Sequence, residues 1–90
     1  MTLVYSPTKY PVRIGFSASK KVGNSVQRNR AKRLMREAVR SLIDNFDKGK
    51  NYIFVARDAI LNAKLDEVKS TIERLLKSQK LWTGMPRSDI

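Results

Sequence analysis

Between Ala31 and Phe46 the apolar residues Ala31, Leu34, Met35, Ala38, Leu42 and Phe46 return every three or four positions, with Leu34 and Met35 adjacent. That spacing lines them along one face of an α-helix. Asn24 or Ser25, following Gly23, supplies an N-cap. One amphipathic helix from there to Phe46 therefore takes up about a quarter of a 90-residue chain. Whatever else the chain forms has to cover that stripe. Ninety residues fit one domain with a modest core and leave little room for a large enclosed active site.

The segments around the helix read as strands and a second helix. Val12, Ile14, Phe16 and Ala18 alternate with Arg13, Gly15 and Ser17, giving one apolar face and one small or polar face left open to a partner. Leu3 to Tyr5 is also β-like, and Ser6-Pro7-Thr8-Lys9-Tyr10-Pro11 reads as a turn, so the two segments are expected to pair as a hairpin. After Asp47-Lys48-Gly49-Lys50-Asn51, the run Tyr52 to Ala56 has no alternation, as expected of a central strand covered on both faces. A last helix is expected over about Asp66 to Lys80 with Val68, Ile72, Leu75 and Leu76 inward. Residues 81–90, with Gly84 and Pro86, read as a flexible tail behind a single domain at 1–80. The expected class is α+β in the order ββαβα.

Charge says more about partners than about fold. Lys and Arg number 19 against 8 Asp and Glu, a net +11 that gathers polyanions around the molecule. Residues 20 to 40 hold eight Lys or Arg and one Glu, so +7 of that excess lies in 21 residues. At about 100° per residue, Asn29, Lys32, Arg33, Arg36 and Arg40 fall opposite the Leu34, Met35 and Ala38 stripe. Like charges at these spacings repel, and cations in the first turn oppose the helix dipole, so helix stability alone does not favour the arrangement. An external anion offsets both costs. Arg offers a planar fork to phosphate, and Asn29 can donate and accept toward a base edge or ribose hydroxyl. A merely solvated basic face would carry compensating Glu, which this one lacks.

Other classes fit less well. The chain has no Cys and no His, which removes disulfides, thiolate metal sites, the usual zinc ligand and the commonest general base. The acids nearest a cluster, Asp44 and Asp47, lie at the helix end, which disfavours a stand-alone metal nuclease. No apolar run approaches the roughly 20 residues of a membrane span. Met1 leads straight into Thr2-Leu3-Val4-Tyr5, so no signal peptide is expected and the cytoplasm is the simplest compartment. A DNA recognition helix would follow a short partner helix, whereas β-like segments precede this one. Tyr5, Phe16, Tyr52, Phe54 and Trp82 read mainly as packing, with Tyr5 the one stacking candidate.

The stretch Arg13-Ile14-Gly15-Phe16-Ser17-Ala18-Ser19-Lys20-Lys21-Val22-Gly23-Asn24-Ser25-Val26-Gln27-Arg28-Asn29-Arg30-Ala31-Lys32-Arg33-Leu34-Met35-Arg36-Glu37 closely resembles the signature of the bacterial ribonuclease P protein. The resemblance continues through Tyr52 to Arg57 and Asp66 to Lys77. It implies a two-layer α/β sandwich whose signature helix crosses between parallel strands in a left-handed sense, against the usual handedness rule. It further implies a subunit of a tRNA-processing endoribonuclease ribonucleoprotein, in which Mg²⁺-dependent hydrolysis belongs to the RNA and the protein alone is inactive. Its partners would be the ribonuclease P RNA and precursor tRNA. Carried over by match, Arg28, Asn29, Arg30, Lys32, Arg33 and Arg36 would contact RNA, continued by Arg40 and supported by Lys20, Lys21 and Asn24. Val4, Tyr5, Arg13 and Ser17 would line the cleft for the 5′ leader.

Members of that family usually open with a basic segment, an aromatic-bearing helix and a short strand, ahead of what is here Leu3 to Tyr5. That helix walls the leader cleft, so leader binding is expected to suffer more than RNA-subunit binding. A face without this roof is expected to self-associate or to capture the tail around Leu81 and Trp82. The rival to the ribonuclease P reading is a general or ribosomal-type RNA-binding protein with no role in cleavage.

Overall fold

A computed structural model describes residues 1–83, without the side chains at 58 and 59. Strand β1 (Thr2–Pro7) and strand β2 (Ile14–Ala18) are followed by a 3₁₀ turn at Lys20–Val22 and helix α1 (Ser25–Leu42). Strand β3 (Lys50–Ala56), a 3₁₀ turn at Asp58–Asn62 and helix α2 (Leu65–Ser78) complete the order ββαβα. The class is α+β, a three-stranded mixed sheet with two helices. Among the described residues no helix is long and apolar enough to cross a membrane.

The expected hairpin does not form. The sheet order is β1-β3-β2, with β1 antiparallel and β2 parallel to β3. Pro7 and Pro11 bring no N–H to a ladder between β1 and β2, whereas β3 offers both of its edges. The connection instead crosses from one side of β3 to the other, and Thr8 N–H donates to the Gly49 carbonyl at 2.9 Å. β2 and β3 are thereby parallel neighbours joined through α1.

Directly paired residues share a sheet face. Leu3–Phe54–Phe16 and Tyr5–Tyr52–Ile14 therefore lie on one face, and Val4–Ile53–Gly15 and Thr2–Val55–Ser17 on the other. The first face holds the core. Phe46 meets Tyr52 edge-on at 5.0 Å and Phe54 at 6.1 Å between ring centroids, and Phe16 stacks on Phe54 at 6.2 Å. The second face is open, with Ile53 48% exposed, so β3 is covered on one face rather than both.

Helix α1 buries Ala31, Met35, Ala38 and Val39, and packs on β2, β3 and α2. Leu34 is half-buried at the stripe's margin. The helix stops at Leu42, and a 3₁₀ turn at Ile43–Asn45 delivers Phe46 in extended form onto the aromatic cluster, a descent that a continuing helix could not make. Helix α2 begins with Asp66 and Glu67, which suit its positive end, and Glu67 accepts from the Lys64 N–H at 3.0 Å. Val68, Ile72 and Leu76 recur every four residues as its buried row, with Leu75 half-buried.

The segment after α2 is not a free tail at its start. Leu81 is 2% exposed, its carbonyl accepts from Asp47 N–H at 3.0 Å, and Trp82 bridges to Phe46. The Lys77 ammonium sits 5.1 Å from the Trp82 ring centroid. Leu81 and Trp82 are thus already committed and cannot roof the open face. The rest of the expected tail, 84–90, lies outside the described residues.

The Tyr52 hydroxyl donates to the Asp47 carbonyl at 2.6 Å. Burial, and after it the Asp47 carboxylate, pushes its pKa up to about 12. A raised phenol favours the folded state below the unfolded pKa of about 10, and that contribution is lost as pH climbs toward 12. Chemical denaturation of Tyr52→Phe between pH 9 and about 12 should show a shallower fall in stability than the parent. Parallel curves would show that this phenol does not govern alkaline unfolding.

Candidate nucleic-acid interface

Helix α1 starts where it does because Asn24 Oδ1 accepts from Gln27 N–H and Gln27 Oε1 accepts from Asn24 N–H, each at 2.9 Å. This reciprocal box satisfies two donors at the helix start. Asn24, expected beside the RNA contacts, therefore has its carbonyl oxygen engaged in structure. Gly23 precedes it at φ +140°, a region L side chains rarely adopt, and a Cβ there would run into the Gln27 amide. Gly23→Ala should cost about 1 to 3 kcal/mol, read as a lower urea midpoint, with the helical signal lost first from the α1 entrance by hydrogen exchange. An unchanged midpoint would show that the box is dispensable.

With its start fixed, α1 sorts Asn29 and its charged residues into three rows. Asn29, Arg33 and Arg40 lie on the exposed ridge. Arg28, Lys32 and Arg36 follow one another at four-residue spacing on the flank toward β2, where the Arg36 guanidinium lies 5.6 Å from the Phe16 ring centroid. Arg28 and Lys32 are half-buried, so Lys32, which the wheel sets opposite the apolar stripe, lies on the packed flank instead. Arg30 and Glu37 face the opposite flank, toward Ile60 and Leu61. Lys20 and Lys21 are exposed on the 3₁₀ turn ahead of α1, anchored by buried Val22.

Among the described residues the ion pairs are Lys50–Asp47 and Lys77–Glu73, and neither includes a residue of this helix. The eight cations of residues 20–40 thus have no carboxylate within 4.0 Å among those residues. No acid occupies the first turn of α1. Among the described residues, then, the fold itself does not neutralise this charge.

The open sheet face is a second surface. Val4 (52% exposed), Ile53 and Gly15 form its middle, and Gly15 contributes no side chain, so the floor is low there. Cations stand at both ends. At one, Arg13 N–H donates to Asn51 Oδ1 at 3.1 Å, beside Tyr10. At the other, Arg57 Nη2 donates to Thr2 Oγ1 at 3.3 Å, and Lys21 shares a recess with Arg57. Of the four residues expected to line a cleft, Val4, Arg13 and Ser17 meet on this face. Tyr5 does not, because its pairing with buried Tyr52 puts it on the helix-bearing face, 39% exposed at the sheet edge.

Ile53, Arg57 and Tyr10 are missing from the sequence reading. Reading β3 as wholly buried hid Ile53 and Arg57, although strand parity separates them from Tyr52, Phe54 and Ala56. Tyr10, 76% exposed, falls in a stretch whose prolines read only as a turn.

A family model named Ribonuclease P matches residues 1–80, spanning both the cationic helix and the open face. The chain belongs to the ribonuclease P family. A ribonuclease P protein component from Caldanaerobacter subterraneus subsp. tengcongensis is 43% identical over 88 residues, 97% of this chain and 76% of that protein. A ribonuclease P protein component from Bacillus cereus strain G9842 is 43% identical over 75 residues, and the match spans 62% of its length. Among solved structures, the Staphylococcus aureus RNase P protein superposes with a TM-score of 0.75 at 29% identity, covering 90% of this chain and 75% of that one. The Thermotoga maritima RNase P protein, at 22% identity and a TM-score of 0.75 over 84% of this chain and 74% of that one, shares the fold.

Proposed function

We propose that the chain acts as the protein subunit of a ribonuclease P ribonucleoprotein, binding the catalytic RNA and precursor tRNA and assisting removal of the 5′ leader. The observation that carries this reading is the set of eight cations at residues 20–40 without acidic partners among the described residues, held on a helix whose start is fixed by a capping box. Fixed cations bind a folded polyanion at lower entropic cost than loose ones. In this reading Asn29, Arg30, Arg33, Arg36 and Arg40 contact the RNA subunit, with Lys20 and Lys21 at the helix entrance. Arg28 and Lys32 on the sheet-side flank extend the same surface.

The open face suits the single-stranded leader. Apolar Val4 and Ile53 offer a floor for bases, and Arg13 at one end with Arg57 and Lys21 at the other supply phosphate contacts, the combination that single-strand binding surfaces use. Among the described residues no three His, Cys, Asp or Glu gather as metal ligands. In the proposed reading Mg²⁺ is held mainly by the RNA, and the protein's work is binding and positioning, in the cytoplasm.

Reconstitution tests this. Added to a bacterial ribonuclease P RNA at low Mg²⁺, the chain should raise precursor-tRNA cleavage, and without RNA it should cleave nothing. Binding without stimulation would favour a general RNA-binding protein. Cleavage by the protein alone would overturn the reading.

A further inference from the structure

Between α1 and the 3₁₀ turn at Asp58–Asn62 lies a groove of about 230 Å³. Arg30 and Arg33 stand on it, Leu34, Ile60 and Leu61 give it apolar walls, and Glu37 lies alongside. It differs from the rest of the ribbon in two respects. It has depth and apolar lining, which phosphate binding does not need. It also holds the one acid of α1, placed four residues after Arg33 and three before Arg40 yet in no ion pair with either. A carboxylate in a surface that binds polyanions weakens every phosphate contact near it. Its placement makes sense where it accepts hydrogen bonds from the ligand itself.

We propose that this groove receives one unstacked guanine of the bound RNA, with Glu37 accepting from the N1–H and N2–H donors of its Watson–Crick edge. The inference rests on the RNA-binding reading above and adds a base preference to it. The volume lies below the roughly 300 Å³ at which pockets for whole drug-sized ligands begin, so it suits one base of a longer chain. Leu34, Ile60 and Leu61 would lie against the base, and Arg30 and Arg33 at the rim would take the flanking phosphates. Guanine is the base that presents two adjacent donors to an acceptor-only carboxylate. Adenine, cytosine and uracil each present one donor beside an acceptor that the carboxylate repels.

Fluorescein-labelled ribopentamers UUGUU, UUAUU, UUCUU and UUUUU, with inosine in place of guanine as a fifth, test this by anisotropy at one fixed salt concentration. The parent chain should bind UUGUU about tenfold tighter than the other three natural pentamers, with the inosine form between, since it keeps N1–H and lacks the N2 amine. Glu37→Gln, an isosteric change at an exposed position, should bind every pentamer somewhat more tightly and lose the guanine preference. Equal binding of all pentamers by the parent would overturn the inference and leave the RNA-binding reading standing. A guanine preference unchanged in Glu37→Gln would overturn it as well, since the base would be read elsewhere. Binding of no pentamer, together with failure to bind ribonuclease P RNA, would overturn both.

Discussion

Replacing Arg30, Arg33 and Arg40 together by alanine lowers affinity for ribonuclease P RNA by about two orders of magnitude at ~0.1 M salt and leaves the thermal melt nearly unmoved. All three are exposed, and among the described residues none is in an ion pair, so the fold loses little with them. Each phosphate they neutralise contributes a factor of roughly [salt] to the power −0.7 to −0.9, about five- to eightfold per contact at that concentration. The slope of log affinity against log salt should flatten by about two to three units. This trio separates binding from packing better than Arg28, Lys32 and Arg36. Arg28 and Lys32 are half-buried, and Arg36 lies over Phe16, so removing them touches the fold as well. Filter binding across a salt series, with circular dichroism melts in parallel, measures both quantities. A triple variant with the parental slope would show these three cations to be solvated surface.

Phe54→Ala should remove a large part of the stability of the domain. Phe54 is fully buried on the central strand, with Phe16, Phe46 and Tyr52 each within 6.5 Å between ring centroids. Truncating a buried Phe costs about 3 to 5 kcal/mol, through lost transfer energy and the cavity left behind. A domain of this size holds on the order of 5 to 13 kcal/mol in total. The open face and α1 would lose their common support, since β3 pairs with both other strands and α1 packs on it. RNA affinity should fall with the folded fraction and recover when the fold is restored by cooling toward the stability maximum or by an osmolyte such as TMAO. A urea midpoint equivalent to less than about 1 kcal/mol of loss would place the core elsewhere. Phe54→Leu, which keeps much of the volume, should lose considerably less.

Most of the cationic surface is legible in the sequence because it depends on one helix, and a helix is a local object. The intervals from Ala31 to Phe46 define which side is buried to within one flank. Gly23 and Asn24 mark its start, and the charge count of residues 20–40 shows that its outer side lacks acids. The errors lie at the margins. A wheel assigns Lys32 to solvent because it does not know that β2 runs alongside, and it assigns Leu34 to the core although Leu34 lines the groove facing Ile60 and Leu61. Phe46 fits the helical period and still leaves the helix, drawn onto Tyr52 and Phe54.

The strands behave otherwise, because their partners are chosen at long range. Alternation along Val12 to Ala18 was sufficient to give β2 an apolar and an open face. Nothing in the local pattern of Leu3 to Tyr5 says that it pairs with residues some 50 positions later rather than with its neighbour. Insertion of β3 between β1 and β2 sets the parity that brings Val4, Ile53 and Gly15 together, turns Tyr5 to the other face and carries Arg57 to the end of the open surface. Leu81 and Trp82 depend on the same kind of closure, since their polar composition of neighbours reads as a tail until Phe46 and Asp47 are placed beside them. Composition and period settle what each segment prefers by itself, at the cost of a few residues' ordering. Which edges meet is settled when the whole core closes, because only then does the burial of Phe54 and its neighbours outweigh the entropy of joining distant segments.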